Sequence, residues 1–316
     1  MPTPFDGEPT GSALRARATA DVRAAGGSSP DAVAATGPLG QIGRMTHEVT
    51  HDQNGRSQID TGVPHSARVY DYWLGGSSNF AADRAMGQAF EEAIPGIRTM
   101  ALENRRFLGR AVRYMAEAGV RQFLDIGTGI PADGDTGSVT SIVAPDARVV
   151  CVDNDPIVQE HAKSTLTGPE AERTVYLEAD LRKPVELLRA PLLRETLDLD
   201  RPVGLLLVAI LMLVADDEDP WAVVRTLLDA MPAGSLVALS HPTQDFDPAS
   251  MEQVVQAARQ GHMTLVPRDR AACARFFEGW EMVEPGLVPV MSWRPDGEPP
   301  ADPESAYYWA GVARKR

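Results

Sequence analysis

The pattern of apolar and polar positions changes character twice along the chain. Residues 1–57 hold only nine large apolar residues among Gly, Pro, Ser, Ala, Thr and charge, with no sustained period of 3.6 or 2. A segment that buries so little apolar surface does not offset its ordering entropy, so 1–57 is expected to be a disordered tail. From Pro64 the pattern turns helical. A short helix is expected over Ser66 to Leu74, capped by Ser66 and ended by Gly75-Gly76. A second is expected from about Phe80 to Ala93. A third spans about Ile97 to Ala118, with Leu102, Arg106, Leu108, Val112, Met115 and Ala116 on one face and Gly119 closing it. Together, residues 58–119 read as an N-terminal helical lobe.

From residue 120 onward, short apolar strands alternate with helices. Strands are expected at Gln122–Ile126, Arg148–Val152, Val175–Glu178, Val203–Ala209 and Ser235–Ser240. Helical stretches are expected near Thr136–Val143, Pro156–Leu166, Val185–Leu193 and Pro220–Met231. Near-continuous apolar strands are those covered on both faces, and this alternation is that of an open, mostly parallel α/β sheet. Helices near Ser250–Gln260 and Arg268–Phe277, with strands near Glu281–Val283 and Tyr307–Val312, are expected to complete an antiparallel edge. Residues 120–316 therefore read as one α/β domain.

Charge narrows the ligands. Thirty Lys+Arg against 44 Asp+Glu give a formal charge of −14, a field that repels phosphate backbones and anionic lipid, so nucleic acid and membrane surfaces are poor partners. The longest uncharged apolar run, Val203 to Ala215, has 13 residues, short of the ~20 that span a bilayer. Two cysteines, Cys151 and Cys273, are too few for a disulfide framework or a cysteine zinc site. The opening MPTPFDGEPTG shows neither the basic patch nor the apolar run of a secretory signal, so a cytoplasmic protein is expected.

The first strand ends in Leu124-Asp-Ile-Gly-Thr-Gly-Ile-Pro131. A Gly-x-Gly turn directly after a strand allows close backbone approach to a ligand, and Gly127, Thr128 and Gly129 form that turn. The next two strands end in acids, Asp153 followed by Asn154, and Asp180 followed by Leu181. In an open α/β sheet ligands bind outside the carboxyl ends of the strands. There Asp153 can accept from ribose hydroxyls, with Asn154 at adenine depth, and Asp180 can accept from an adenine amino group while Leu181 meets the ring edge. Asp125, inside the Gly motif, suits a cationic ligand better than a pyrophosphate. Ala209 ends the fourth strand at the same edge. The spacing of Gly127, Gly129 and Ala132 also satisfies the dinucleotide pattern, which keeps an NAD-dependent oxidoreductase open as an alternative, although Pro131 and Asp125 suit a diphosphate turn poorly.

These residues carry a resemblance. The Gly run resembles motif I of class I S-adenosylmethionine-dependent methyltransferases, and Asp153 and Asp180 match that superfamily's second and third adenosine-binding positions. More narrowly, Ile59-Asp-Thr-Gly-Val-Pro-His-Ser-Ala-Arg-Val-Tyr-Asp-Tyr-Trp-Leu-Gly-Gly76 is similar to the opening signature of the actinobacterial S-adenosyl methyltransferase family, formerly a domain of unknown function. So are Asn79 to Arg84, Pro95 to Arg98 and Leu205 to Asp219. The resemblance covers about 58–315. It implies a seven-stranded Rossmann-like methyltransferase fold, S-adenosylmethionine as cofactor and S-adenosylhomocysteine as product. It names no substrate. A small-molecule acceptor in specialised metabolism is the expectation, and the oligomeric state stays open. The chain departs from the pattern twice: Asp135-Thr136-Gly137-Ser138 replaces Asn-Thr-His-Glu, and Met212-Leu213 stands at a His-Phe position. A cofactor-binding protein without turnover is the corresponding alternative.

For chemistry at the acceptor, His241 after the fifth strand is the candidate catalytic or substrate-binding group. Arg68 and Tyr72 share a helix face. They are read as a lid over the methionine end, Arg68 near the carboxylate and Tyr72 bordering the sulfonium. Asp216 to Asp219 reads as the acidic start of a helix rather than a metal site.

Overall fold

In the computed structural model, residues 59–165, 172–298 and 300–316 are described. The expectation of a disordered tail falls on residues outside them. Among the described residues three helices come first: α1 (Ser66–Trp73), α2 (Ala81–Ala93) and α3 (Ile97–Glu117). His65, not Ser66, is the N-cap of α1; its Nδ1 lies 3.3 Å from the Ala67 amide and 3.0 Å from Asp155 Oδ2. On α3 the expected Leu108, Val112, Met115 and Ala116 are buried, but two other residues expected on that face are not. Leu102 is 42% exposed and Arg106 is exposed, while Met100, Ala101, Asn104, Phe107, Leu108 and Ala111 face inward.

The sheet holds β1 (Gln122–Ile126), β2 (Arg148–Asp153), β3 (Thr174–Glu178), β4 (Gly204–Val208), β5 (Leu236–Pro242), β6 (Glu281–Met282), β7 (Val288–Pro289) and β8 (Tyr308–Arg314). Its order is β3-β2-β1-β4-β5-β8-β6, with β7 also paired to β8. The first five strands are parallel; β8 runs antiparallel to β5 and to both short strands. Eight strands thus fill seven positions. The last position is split by a Pro285-Gly286 bend, closed by the Gly286 amide on the Val283 carbonyl, so β6 and β7 share one edge of β8.

The connecting helices are α4 (Thr136–Val143), α5 (Pro156–Thr165), α6 (Pro184–Arg189), α7 (Pro191–Thr196), α8 (Pro220–Ala230), α9 (Pro248–Gln260) and α10 (Arg270–Arg275). The single helix expected over Val185–Leu193 is two helices, because Pro191 has no amide to donate and holds Ala190 extended. Two cores sandwich the sheet. Leu206, Leu236, Ala238 and Val312 meet α3, and Leu205, Val237, Leu239 and Ala313 meet the side of α8. Strand order reverses between β1 and β4, which opens a crevice at their carboxyl ends. Among the described residues no helix is long and apolar enough to cross a membrane.

Candidate active site

A cavity of ≈ 1170 Å³, counting its open mouth, lies over that crevice between the strand ends and α1, α2, α3 and α9. At one end are Asp125, Gly127, Thr128, Gly129, Asp153, Asn154 and Ala209, which the sequence places on separate segments and the fold brings together. The Gly127 and Thr128 amides donate to the Val152 carbonyl at 2.8 and 3.1 Å, tying the loop after β1 to β2. Gly127 and Gly129 both take positive φ, +78° and +70°. Asp153 is fixed by the Gly129 amide on Oδ2 (2.9 Å) and the Asp155 amide on Oδ1 (3.0 Å). Burial raises its pKa, against the lowering effect of His65 and these amides. Ala209, at φ +52°, holds its amide 3.1 Å from the Ser240 carbonyl.

Asp125 is buried and accepts from Thr136 Oγ1 at 2.6 Å and Thr128 Oγ1 at 3.2 Å. Burial pushes its carboxyl up to about 6, against those two hydroxyls and nearby Arg105. Arg105 itself lines the cavity, its guanidinium 5.6 Å from the Tyr70 ring centroid. Among the described residues no carboxylate forms an ion pair with it. A glycine loop, an anchored carboxylate, a buried acid and an unpaired cation around one cleft fit the ribose, ammonium and carboxylate groups of an amino-acid nucleoside.

Five sequence-derived candidates lie elsewhere. Arg68 is enclosed between Asp155 (3.1 Å) and Asp83 (3.6 Å) and donates to the Asp60 and Val63 carbonyls, so no free charge faces the cavity. Tyr72 packs under the Arg98 guanidinium, 4.5 Å from its ring centroid, on the α2 side. On the same helix it is Tyr70 and Trp73 that line the cavity. Asp180 is occupied by Arg182, with Nε at 2.9 and 3.0 Å from its two oxygens. Partial burial opposes its ionisation, yet these bonds hold its carboxyl below the usual range. Leu181 is buried in the core with Leu187 and Leu188.

His241 points to the other side of the sheet. Strand alternation groups it with Val237 and Leu239, away from α3 and the cavity. Its Nδ1 lies 2.9 Å from the Pro242 carbonyl and its Nε2 3.0 Å from Arg268 Nη1. Burial above all pushes it down to about 3, so the imidazole is neutral and structural. The acidic run is equally structural: Asp216 accepts from Arg268 (2.6 Å), Glu218 from the Ala215 amide (2.8 Å), and Asp219 caps α8. Of the two departures, Met212 lines the cavity, whereas Gly137 and Ser138 form the first turn of α4, where the Asp135 carboxylate accepts from the Ser138 amide at 2.8 Å.

Sequence reasoning passed over Asn104 and Arg105 on α3, and Tyr308 at the start of β8. The signal for the first two was present: polar residues set among Met100, Ala101 and Leu108 on an apolar stripe.

The family profile described as S-adenosyl methyltransferase matches residues 52–316. Among the solved structures similar to the chain are two with substantial sequence identity. A DUF574-family protein from Streptomyces avermitilis is 42% identical over 82% of this chain and 100% of its own, with a TM-score of 0.77. A putative methyltransferase from Thermobifida fusca is 37% identical over 81% of this chain and 97% of its own, also with a TM-score of 0.77. No curated protein is similar to the chain. With the match running through the whole sheet and the helices that roof the cavity, the chain belongs to the S-adenosyl methyltransferase family and uses S-adenosylmethionine as its cofactor.

Proposed function

We propose that the cavity holds S-adenosylmethionine against Gly127, Thr128, Gly129, Asp153 and Asn154, and that a small molecule in the adjoining space accepts the methyl group. The observation that carries this reading is continuity: one cavity runs from the glycine loop to an apolar space under α1–α3 and α9. Asp153 is the ribose anchor. Arg105 takes the role first expected of Arg68, facing the cofactor's carboxylate, and Asp125 faces its cationic groups. The bound cofactor supplies an electrophilic methyl group on a sulfonium; the chain holds the acceptor in line with it and keeps water out.

Isothermal titration with S-adenosylhomocysteine, 5′-methylthioadenosine and NAD tests the assignment. S-adenosylhomocysteine binds and NAD does not. Asp153→Ala weakens both nucleosides about ten- to a hundredfold, roughly 1.5–3 kcal/mol for a lost charged acceptor. Arg105→Ala weakens S-adenosylhomocysteine alone, because methylthioadenosine has no carboxylate. Unchanged affinity in folded Asp153→Ala, or tight NAD binding, overturns the reading. Transfer of a labelled methyl group to an acceptor separates an enzyme from a binding protein without turnover.

Asp125 adds a pH dependence. Its carboxyl titrates at about 6, above the ordinary 3.8, so its contribution to folding stability is full below about 3.8 and is lost as pH rises through about 6. A cationic ligand reverses the preference by favouring the carboxylate. Affinity for S-adenosylhomocysteine therefore falls about tenfold from pH 7 to pH 5, and Asp125→Asn flattens that dependence. A wild-type affinity that is level across this range removes Asp125 from the cofactor's surroundings.

A further inference from the structure

The cavity is chemically divided. Its charged lining groups, Arg105, Asp125 and Asp153, all belong to the glycine-loop end. The remainder is lined by Trp73, Phe90, Met100, Met251, Met263 and Leu265 among others, with no charged side chain among the described residues. Aromatic faces and flexible thioethers of this kind fit a flat apolar molecule, while an ionised group placed there would lose its hydration with nothing to replace it.

Among the described residues, the polar side-chain atoms of the tyrosines, tryptophan and asparagine that line this space are already engaged, with one exception. Tyr70 Oη donates to the Ala101 carbonyl (2.7 Å) and accepts from Asn104 Nδ2 (3.1 Å). Asn104 Oδ1 accepts from Ser240 Oγ (2.5 Å), and Trp73 Nε1 donates to the Gly87 carbonyl (3.3 Å). Tyr308 is the exception. It opens β8 opposite Pro242, and alternation places it with Ala310 and Val312 on the α3 face of the sheet. It is 6% exposed and lines the cavity, and no described residue hydrogen-bonds its hydroxyl. A hydroxyl on the wall of an apolar cavity, unpaired by the described residues, is one that a ligand's polar group would pair. Burial raises its pKa further, so it remains a neutral phenol and no base.

Nor does the apolar space contain another base. Asp125 and Asp153 are held by hydroxyls and amides at the cofactor end, and His241 is on the far side of the sheet. An acceptor methylated here brings its own lone pair.

We infer that the acceptor is an uncharged aromatic amine, seated in the apolar space with its polar group on the Tyr308 hydroxyl and methylated without a side-chain base. The inference rests on the cofactor reading above. The nitrogen lone pair forms the new N–C bond, the methyl carbon's bond to sulfur breaks with its electron pair staying on sulfur, and the N–H proton passes to solvent water at the open mouth of the cavity as the product leaves. Tyr308 acts as a substrate-binding group.

Four probes of one shape test it on the full chain saturated with S-adenosylhomocysteine: 1-naphthylamine, naphthalene, 1-naphthoate and the cationic 1-aminomethylnaphthalene, each titrated by Trp fluorescence. Neutral 1-naphthylamine binds at least about tenfold more tightly than the anion or the cation. Tyr308→Phe weakens 1-naphthylamine about fivefold to tenfold, the effect of one neutral hydrogen bond, and leaves naphthalene and S-adenosylhomocysteine unchanged. With S-adenosylmethionine in place of the product, N-methylnaphthylamine forms, and Met251→Trp, which fills the apolar space, blocks both binding and turnover of the amine. Equal affinity for a charged probe, no binding of 1-naphthylamine, no methylated amine, or a Tyr308→Phe effect equal for amine and hydrocarbon each overturns the inference. S-adenosylhomocysteine binding, measured in the same samples, separates these outcomes from a failure of the cofactor reading.

Discussion

Arg268→Met is expected to destabilise the fold by about 2–6 kcal/mol, because it strips the donors from buried acceptors that have no water to replace them. The Arg268 guanidinium is buried beneath the loop that follows β4. It donates to the Leu211 and Val214 carbonyls at 2.9 Å each, meets His241 Nε2 at 3.0 Å and reaches Asp216 at 2.6 Å. It also lies over the Trp221 and Phe276 rings at 5.3 and 5.8 Å. Methionine restores much of the volume and none of the donors. The Val214 carbonyl and an imidazole nitrogen are then left without partners in the interior, each costing about 1–3 kcal/mol, while the Leu211 carbonyl keeps the Val214 amide at 3.2 Å. Asp216, 65% exposed, rehydrates and contributes little. Lysine recovers only part of the loss, because one ammonium cannot span the fork that serves both carbonyls and the histidine. The loop carries Ala209, Ile210, Met212 and Leu213 into the cavity, so the variant also weakens cofactor binding. Urea denaturation reads the first effect and titration the second. A loss below about 1 kcal/mol would show that the loop is held by its apolar contacts alone.

The same cluster shows where the sequence was legible and where it was not. Near-continuous apolar runs alternating with helical stretches located β1 to β5 and β8, because burial on both faces writes itself into composition. The glycine loop, Asp153 and Asn154 were readable because strand ends in a parallel sheet share one edge. The parity of β5 was readable too: Ser240 and His241 must face opposite sides, and Ser240 meets Asn104 of α3. What parity alone does not say is which side holds the cavity; that depends on where α1–α3 pack. Arg68 and Arg105 present the same difficulty. Both are arginines on helices of the N-terminal part, and only tertiary packing sets Asp83 and Asp155 against one while leaving the other facing the cleft. Asp180 sits at the expected strand end, yet Arg182 two residues on occupies it, a local pairing that composition does not reveal.

Gly127→Ala is expected to cost about 2–5 kcal/mol of stability and to lower affinity for S-adenosylhomocysteine by about a hundredfold or more, combining two separate penalties. The first is conformational: φ of +78° is the left-handed region, where a side chain costs roughly 1–2 kcal/mol. The second is steric. A Cβ at this position would lie 2.5 Å from both Cδ1 and Cγ1 of Ile210 and 2.8 Å from its Cβ. Rotation can move the far end of Ile210 but not its Cβ, so the backbone after β4 or the loop itself must shift, and overpacking of this kind costs about 1–3 kcal/mol. Either shift strains the 2.8 Å bond from the Gly127 amide to Val152 and moves Thr128 and Gly129 away from Asp153. Gly129 supplies the control. Its φ is +70°, but an added Cβ there meets nothing within 4 Å. Gly129→Ala should therefore show the conformational penalty alone, about 1–2 kcal/mol, with a smaller loss of affinity. Denaturation midpoints and titrations of the two variants side by side separate the penalties. If both lose stability equally, contact with Ile210 contributes nothing, and the tight approach of the β4 loop to the glycine turn is not what shapes the cofactor end of the cavity.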